Sequence, residues 1–164
     1  MSTSSPTGDR LDLSFTRHVD LPCEKIWAAW TRPDLITQWF TPAPWKTAAA
    51  EIELRPGGRF YTLMCSPEGQ EFPNTGCLLA VVPNRRLVWT NAMSPGFRPA
   101  ILPPGGWHFT GIIALEPEAR GTRYTATVLH ADAESCQKHA AMGFETGWGK
   151  ALDQLVELMR RTPV

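Results

Sequence analysis

Residues 133–161 read AESCQKHAAMGFETGWGKALDQLVELMRR, and this stretch decides the fold. Its apolar side chains recur every three or four residues, at Ala141, Phe144, Trp148, Leu152, Leu155 and Met159. That spacing places them on one face and predicts a single long amphipathic helix over 133–161. Gly143, Gly147 and Gly149 fall inside it, and each costs about 1 kcal/mol relative to alanine. Either a bend or close approach of another backbone would explain them, and we favour simple packing against a sheet.

Six strand-like segments precede this helix, and short turns join most of them. The segments span 48–54, 59–65, 74–82, 87–92, 108–116 and 122–130. Short connections between consecutive strands pair them antiparallel. The exception is residues 94–106, where four prolines predict a long loop, and we interpret this loop as a candidate lid.

The N-terminal part supplies one strand and two short helices. Residues 11–19 begin with alternating apolar and polar side chains, which is the period of a half-buried strand. Pro22 suits a first helical turn, since the N–H it lacks would be unpaired there. A second short helix is predicted to begin near Pro33, with apolar residues as far as Phe40 on one face.

This order of elements, β-α-α-β6-α, predicts an α+β fold. Seven strands are too many to stay flat, so the antiparallel sheet should curve and wrap around the long C-terminal helix. Space left between sheet and helix would suit an apolar ligand. Residues 11–161 are expected to form this single domain, and the polar residues 1–10 a disordered tail without a secretory signal.

Composition excludes several classes of function. Sixteen basic and sixteen acidic residues cancel, so nucleic-acid binding is not expected. No run of about 18 apolar residues exists to span a membrane. The cysteines at 23, 65, 77 and 136 form no C-x-x-C pair, which predicts reduced thiols in a cytoplasmic protein. We predict no metal site and no cofactor.

Several stretches resemble, in order, the activator-of-chaperone-ATPase (Aha1-type) family. They lie at residues 22–39, 54–60, 67–69, 76–87, 121–122 and 139–155. Examples are the stretch from Pro22 to Trp39, which includes IWAAWT, and the signature from His139 to Leu155, which includes MGF and GW. The resemblance covers roughly residues 11–159 and implies the START-like, birch-pollen-allergen-like (SRPBCC) superfamily with its helix-grip fold.

The resemblance leaves activity open. Members of the superfamily are lipid, hormone and polyketide binders, cyclases, hydrolases and a chaperone-activating domain, so the fold alone does not choose among them. Eukaryotic chaperone activators carry a separate N-terminal domain. None is seen before Leu11 here, which we expect to disfavour chaperone activation.

Aromatic and sulfur-bearing residues are the predicted ligand contacts. Asn91 joins them because it follows Trp89 by two residues and should point to the same side of a strand. Trp27, Trp30 and Phe60 are expected to be plain core. The predicted ligand-binding residues are Trp39, Phe40, Trp45, Met64, Trp89, Asn91, Trp107, Phe109, Met142, Phe144 and Trp148.

Candidates for acid–base chemistry are few. His108 and His130 lie near the ends of the last two predicted strands, and His139 and Glu145 lie on the helix. Histidine and glutamate are the usual general acids and bases. No hydrolase or metalloprotease motif contains them, so the sequence assigns no catalytic residue.

Three hypotheses follow. The first is a cytoplasmic protein that binds a small apolar or aromatic molecule, with no nucleic-acid or membrane partner, as a monomer or weak homodimer. The second is a cyclase- or hydrolase-type enzyme, which requires a buried titratable side chain with a displaced pKa facing the cavity. The third is an interaction module that modulates a chaperone ATPase.

Overall fold

The computed structural model describes residues 10–163. The predicted tail over residues 1–10 lies outside this range, except for Arg10. The elements are β1 Asp12–Val19, α1 Cys23–Thr31, α2 Pro33–Ile36, β2 Lys46–Ile52, β3 Arg59–Cys65, β4 Glu71–Val82, β5 Arg86–Thr90, β6 Met93–Ser94, β7 Arg98–Pro99, β8 Phe109–Glu118, β9 Gly121–His130, α3 Ala133–Ala141 and α4 Phe144–Arg160. No helix within residues 10–163 is long and apolar enough to cross a membrane.

Seven strands form one antiparallel sheet in the order β1-β9-β8-β5-β4-β3-β2. The predicted α+β class and the antiparallel pairing are therefore confirmed. The pairing slips by one residue in β2 between Thr47 and Ala49, and in β4 between Leu78 and Ala80. Such bulges bend a strand and increase its twist, which lets a wide sheet curve.

The inner face of the sheet packs against α4 and α1. Leu152, Leu155 and Met159 of α4 are buried in one core cluster with Ile26 of α1 and Leu87 of β5. The side chains that alternate inward along β9 are all buried: Tyr124, Ala126, Val128 and His130. One sheet face and one helix thus supply most of the apolar core.

Polar side chains fasten α4 at both sides of this core. The Gln154 amide donates to the Trp39 and Thr41 carbonyls at 2.9 and 2.8 Å, and its oxygen accepts from the Ala43 N–H. The Lys25 ammonium donates to the carbonyls of Met159 and Thr162 at the end of the helix. These bonds fix the segment after α2, and α1, to the same helix.

The predicted helix over 133–161 is in fact two helices. Gly143 adopts a left-handed conformation with φ of 88°, so the chain turns between α3 and α4. A residue without Cβ adopts that conformation at little cost. The favoured interpretation of Gly143 and Gly147 as packing against the sheet is therefore wrong. Gly143 makes the bend, and a Cβ built at Gly147 would meet no atom within 4 Å.

Two further boundaries differ from the sequence prediction. Helix α2 ends at Ile36, and Trp39 and Phe40 lie in the turn that follows. The predicted loop over 94–106 includes most of a small hairpin, β6 with β7, around left-handed Gly96 and Phe97. A two-residue strand has no periodicity in sequence, so no pattern could reveal it.

Gly143, the N-cap of α4, and Gly147, within the helix, should respond to alanine in opposite directions. Gly147→Ala should raise the free energy of unfolding by up to about 1 kcal/mol, because the helix gains a better helix former and no clash. Gly143→Ala should lower it by about 1–2 kcal/mol, because alanine disfavours the left-handed conformation. Urea denaturation of both variants tests this, and shifts of the same sign would contradict it.

Candidate functional site

A cavity of about 680 Å³ lies between the inner face of the sheet and the start of α4. Aromatic side chains dominate its wall. The residues that line it include Trp30, Trp39, Phe40, Phe60, Met64, Gly76, Trp89, Asn91, Leu102, Pro103, Trp107, Phe109, Tyr124, His139, Met142, Phe144, Gly147 and Trp148. The structure thus brings ten of the eleven predicted contacts to one cavity.

Trp45 is the predicted contact that lies elsewhere. Its ring packs on Phe72, with the centroids 5.5 Å apart, and 39% of the residue is exposed. The residue that turns inward beside it is Thr47, whose hydroxyl is 3.0 Å from that of Thr41. Trp45 precedes β2, so strand alternation does not determine which side its ring faces.

Two tryptophans of the cavity wall, one from the sheet and one from α4, contact each other. Trp89 of β5 and Trp148 of α4 stack with centroids 6.4 Å apart and planes 12° from parallel. Trp89 lies over Gly111 of the neighbouring strand, where an added Cβ would come within 2.6 Å of the indole. A glycine at this position therefore allows the indole to lie along the sheet.

The part of the cavity wall that α4 forms lacks one side chain, at Gly147. Gly147 lines the cavity between Phe144 and Trp148, and the space where its side chain would begin is empty. Met142 lies at the rim, 75% exposed. The missing side chain at Gly147 leaves this part of the cavity open.

Asn91 lines the cavity, but both polar atoms of its side chain are hydrogen-bonded to main-chain groups. Its Nδ2 donates to the Trp107 carbonyl at 3.1 Å, and its Oδ1 accepts from the Phe109 N–H at 2.8 Å. The side chain thus fastens the end of the loop over 100–108 to the sheet. Its role in the cavity is to hold Trp107 and Phe109 in place.

Asn91→Leu should therefore lower the free energy of unfolding. It removes both hydrogen bonds and leaves two backbone groups without partners, which costs about 1–3 kcal/mol. Thermal or urea denaturation measures this loss. If the variant is as stable as the original protein, the fastening role is wrong.

His139 is a polar residue of the cavity wall, and its ring pairs with that of His130. His130 Nε2 and His139 Nδ1 are 3.0 Å apart, and His130 Nδ1 is 2.8 Å from the Leu11 carbonyl oxygen. Trp107 and Phe144 enclose His139, with centroids 4.9 and 5.4 Å from its ring. The pair joins the end of β9 to α3 and to the chain before β1.

Burial displaces two pKa values in this wall. The pKa of His139 is lowered to about 4, first by burial and then by the charge that His130 can carry. Burial raises the pKa of the Tyr124 hydroxyl far above its usual value, against a smaller opposing effect of the hydrogen bond from Trp30 Nε1. Both groups are therefore neutral at physiological pH.

A family model and solved structures match this fold. Residues 20–160 match the family of Activator of Hsp90 ATPase homolog 1-like protein. The chain belongs to this family. A crystal structure from Nitrosomonas europaea is 42% identical, with TM-score 0.87, over 92% of this chain and 95% of that one. Among curated proteins no match is found.

More distant structures share the fold. A protein from Rhodobacter sphaeroides is 25% identical with TM-score 0.81, over 96% of this chain and 97% of that one. An AHSA1-like protein from Aeromonas hydrophila is 23% identical with TM-score 0.66, over 90% of each chain. The predicted family and its helix-grip fold are thus confirmed.

Sequence reasoning missed several residues of the cavity in this family member. Trp30 and Phe60, which were expected to be plain core, are buried and also line the cavity. Tyr124 was missed, although it lies six residues before His130 on the same strand and so shares its face. Thr62 also lines the cavity. A consistent count of alternate residues back from His130 would have found Tyr124.

The remaining acid–base candidates lie apart from the cavity. Glu145 is exposed at the start of α4, and His108 precedes the first inward residue of β8. The His108 Nε2 atom is buried without a hydrogen-bond partner. Within residues 10–163 no three histidine, cysteine or acidic side chains could hold a metal ion together. The four cysteines of this range are unpaired.

The lowered pKa of His139 predicts a pH dependence. The unfolded chain binds a proton below about pH 6.5, whereas folded His139 does so only below about pH 4. Its contribution to stability is complete above pH 6.5 and is lost as the pH falls toward 4. Wild type should therefore lose more stability across this window than His139→Phe, as measured by denaturant unfolding. An NMR titration midpoint of His139 near 6.5 would contradict this.

Proposed function

We propose that this protein binds a small apolar or aromatic molecule in the cavity, in the cytoplasm. The observation that carries the proposal is the open space beside Gly147 within an aromatic wall. A volume of about 680 Å³ falls within the range of known ligand pockets, about 300–1,000 Å³. The four unpaired cysteines support a reducing compartment.

The packing of the wall supports binding over simple core formation. Side chains that only fill a core interdigitate and leave few voids larger than a water molecule. Here Trp30 packs edge-on against Trp39 and Phe40, with centroids 4.9 and 5.6 Å away. The rings hold one another in place around the space, so a ligand would find a largely preformed apolar site. Preformed sites cost less ordering on binding.

A neutral fluorescent probe tests the proposal. N-phenyl-1-naphthylamine should bind wild type saturably with one site per chain, and its emission should rise on leaving water. Gly147→Leu should weaken this binding at least about ten-fold, equivalent to 1.4 kcal/mol, because the new side chain enters the cavity.

Thr146→Leu is the matched control. It adds a leucine to the neighbouring, exposed position of the same helix, so probe binding should be unchanged. The absence of saturable binding to wild type, or equal affinity in Gly147→Leu, would refute the proposed function.

The histidine pair favours a second candidate function, acid–base catalysis on a molecule in the same cavity. The enzyme hypothesis required a titratable inward group with a displaced pKa, and His139 meets that condition. Removal of a proton next to a carbonyl is the simplest such reaction. Modulation of a chaperone ATPase stays a prediction from the family resemblance alone.

Exchange of carbon-bound hydrogen distinguishes an enzyme from a binding protein. In D₂O the protein should speed deuterium incorporation next to the carbonyl of 2-tetralone, an aromatic ketone, and His139→Phe should abolish that increase. A wild-type rate equal to that of buffer, with probe binding intact, would leave binding as the function and reject catalysis of this type.

A further inference from the structure

The Leu11 carbonyl fixes where His130 carries its proton. Its oxygen is 2.8 Å from His130 Nδ1 and also accepts from the His130 main-chain N–H at 3.0 Å. A carbonyl oxygen can only accept, so His130 Nδ1 must be the protonated nitrogen. In a neutral ring the other nitrogen, Nε2, is then an acceptor.

The hydrogen bond between the two histidine rings therefore takes its proton from His139. The contact between His130 Nε2 and His139 Nδ1, at 3.0 Å, needs one donor, and a His130 ring with a single proton, on Nδ1, has no donor at Nε2. His139 Nδ1 therefore donates, and His139 Nε2 is left with a free lone pair. Nothing in residues 10–163 donates a hydrogen bond to that nitrogen. It is also not one of the buried side-chain atoms without a partner, so it is accessible.

The His139 ring belongs to the cavity wall between Trp107 and Phe144. The charged side chains near it on α3 are engaged elsewhere: Lys138 pairs with Glu134 at 3.3 Å, and Asp132 accepts from the Ser135 N–H that begins the helix. The lone pair of His139 is thus an acceptor set among aromatic rings.

We infer that His139 Nε2 is a recognition point of the cavity and accepts a hydrogen bond from the hydroxyl group of a phenolic ligand. The acceptor selects a ligand with a donor, and the stacked tryptophans select a flat ring. The inference rests on the proposed function and narrows its ligand class. His130 is a positioning residue, because it fixes the proton of His139 without touching the ligand.

A pair of matched probes isolates the hydroxyl. 2-Naphthol and 2-methoxynaphthalene share one ring system, but only the naphthol has a proton to donate. Wild type at neutral pH should bind the naphthol about ten-fold more tightly, as measured by calorimetry. In His139→Phe the two probes should bind equally, while the affinity for the methyl ether stays near its wild-type value.

His18→Phe is the control variant, since His18 pairs with Glu118 on the outer side of β1, away from the cavity. It should keep the ten-fold preference. Equal binding of the two probes by wild type, or a preference that survives in His139→Phe, would overturn the inference while leaving apolar binding intact. Failure of both probes to bind wild type would instead reject the proposed function, and the inference with it.

Nitrogen NMR of wild type gives a test that needs no variant. His139 Nε2 should show the shift of an unprotonated nitrogen, and Nδ1 that of a protonated one. Addition of 2-naphthol should move the Nε2 signal, and 2-methoxynaphthalene should not. A protonated Nε2 in the free protein would overturn the inference, whether or not His139→Phe folds.

Discussion

The packing of α4 on the inner face of the sheet is the interaction on which the rest of the structure depends. A seven-stranded sheet exposes a wide apolar face, and burial of that face is the main favourable contribution to folding. The C-terminal half of α4 covers this face, and its side chains Leu152, Leu155 and Met159 are fully buried. In the N-terminal half Phe144 and Trp148 contact Phe15 and Trp89 of the sheet, but Gly147 between them has no side chain. One helix therefore closes the core at one end and leaves a space at the other.

The space is stable because its wall is self-supporting. An unfilled apolar space forfeits dispersion contacts, and each lost contact weakens the fold. Around this cavity the rings contact one another in edge-on and stacked pairs: Trp30 with Trp39, and Trp89 with Trp148. Aromatic pairs of this kind contribute about 0.5–1.5 kcal/mol beyond their buried area. The high tryptophan content of the sequence thus stabilises the cavity wall itself.

Sequence alone predicted the fold from the order and periodicity of its elements. It predicted most of the cavity wall from residue type, since that wall is largely aromatic. Alternation identified β1, and the helical spacing identified the buried face of α4. It could not find the break at Gly143, because a glycine that bends a helix and one that packs closely look alike in sequence. Nor could it place Trp45, since the side chain lies just before a strand with a bulge. The hydrogen bond between His130 and His139 joins separate elements, so no local sequence pattern contains it.

The bend at Gly143 and the histidine pair are two consequences of one geometry. Because α3 ends at Ala141 and α4 begins at Phe144, α3 is free to take its own direction and contact β9 and β1. Asp132 begins α3 directly after β9, which brings His139, two turns later, back over His130 at the end of that strand. A continuous helix over 133–161 would keep His139 in line with α4. The same glycine that interrupts the helix therefore separates the apolar wall of α4 from the polar rim of α3, so that one cavity presents both.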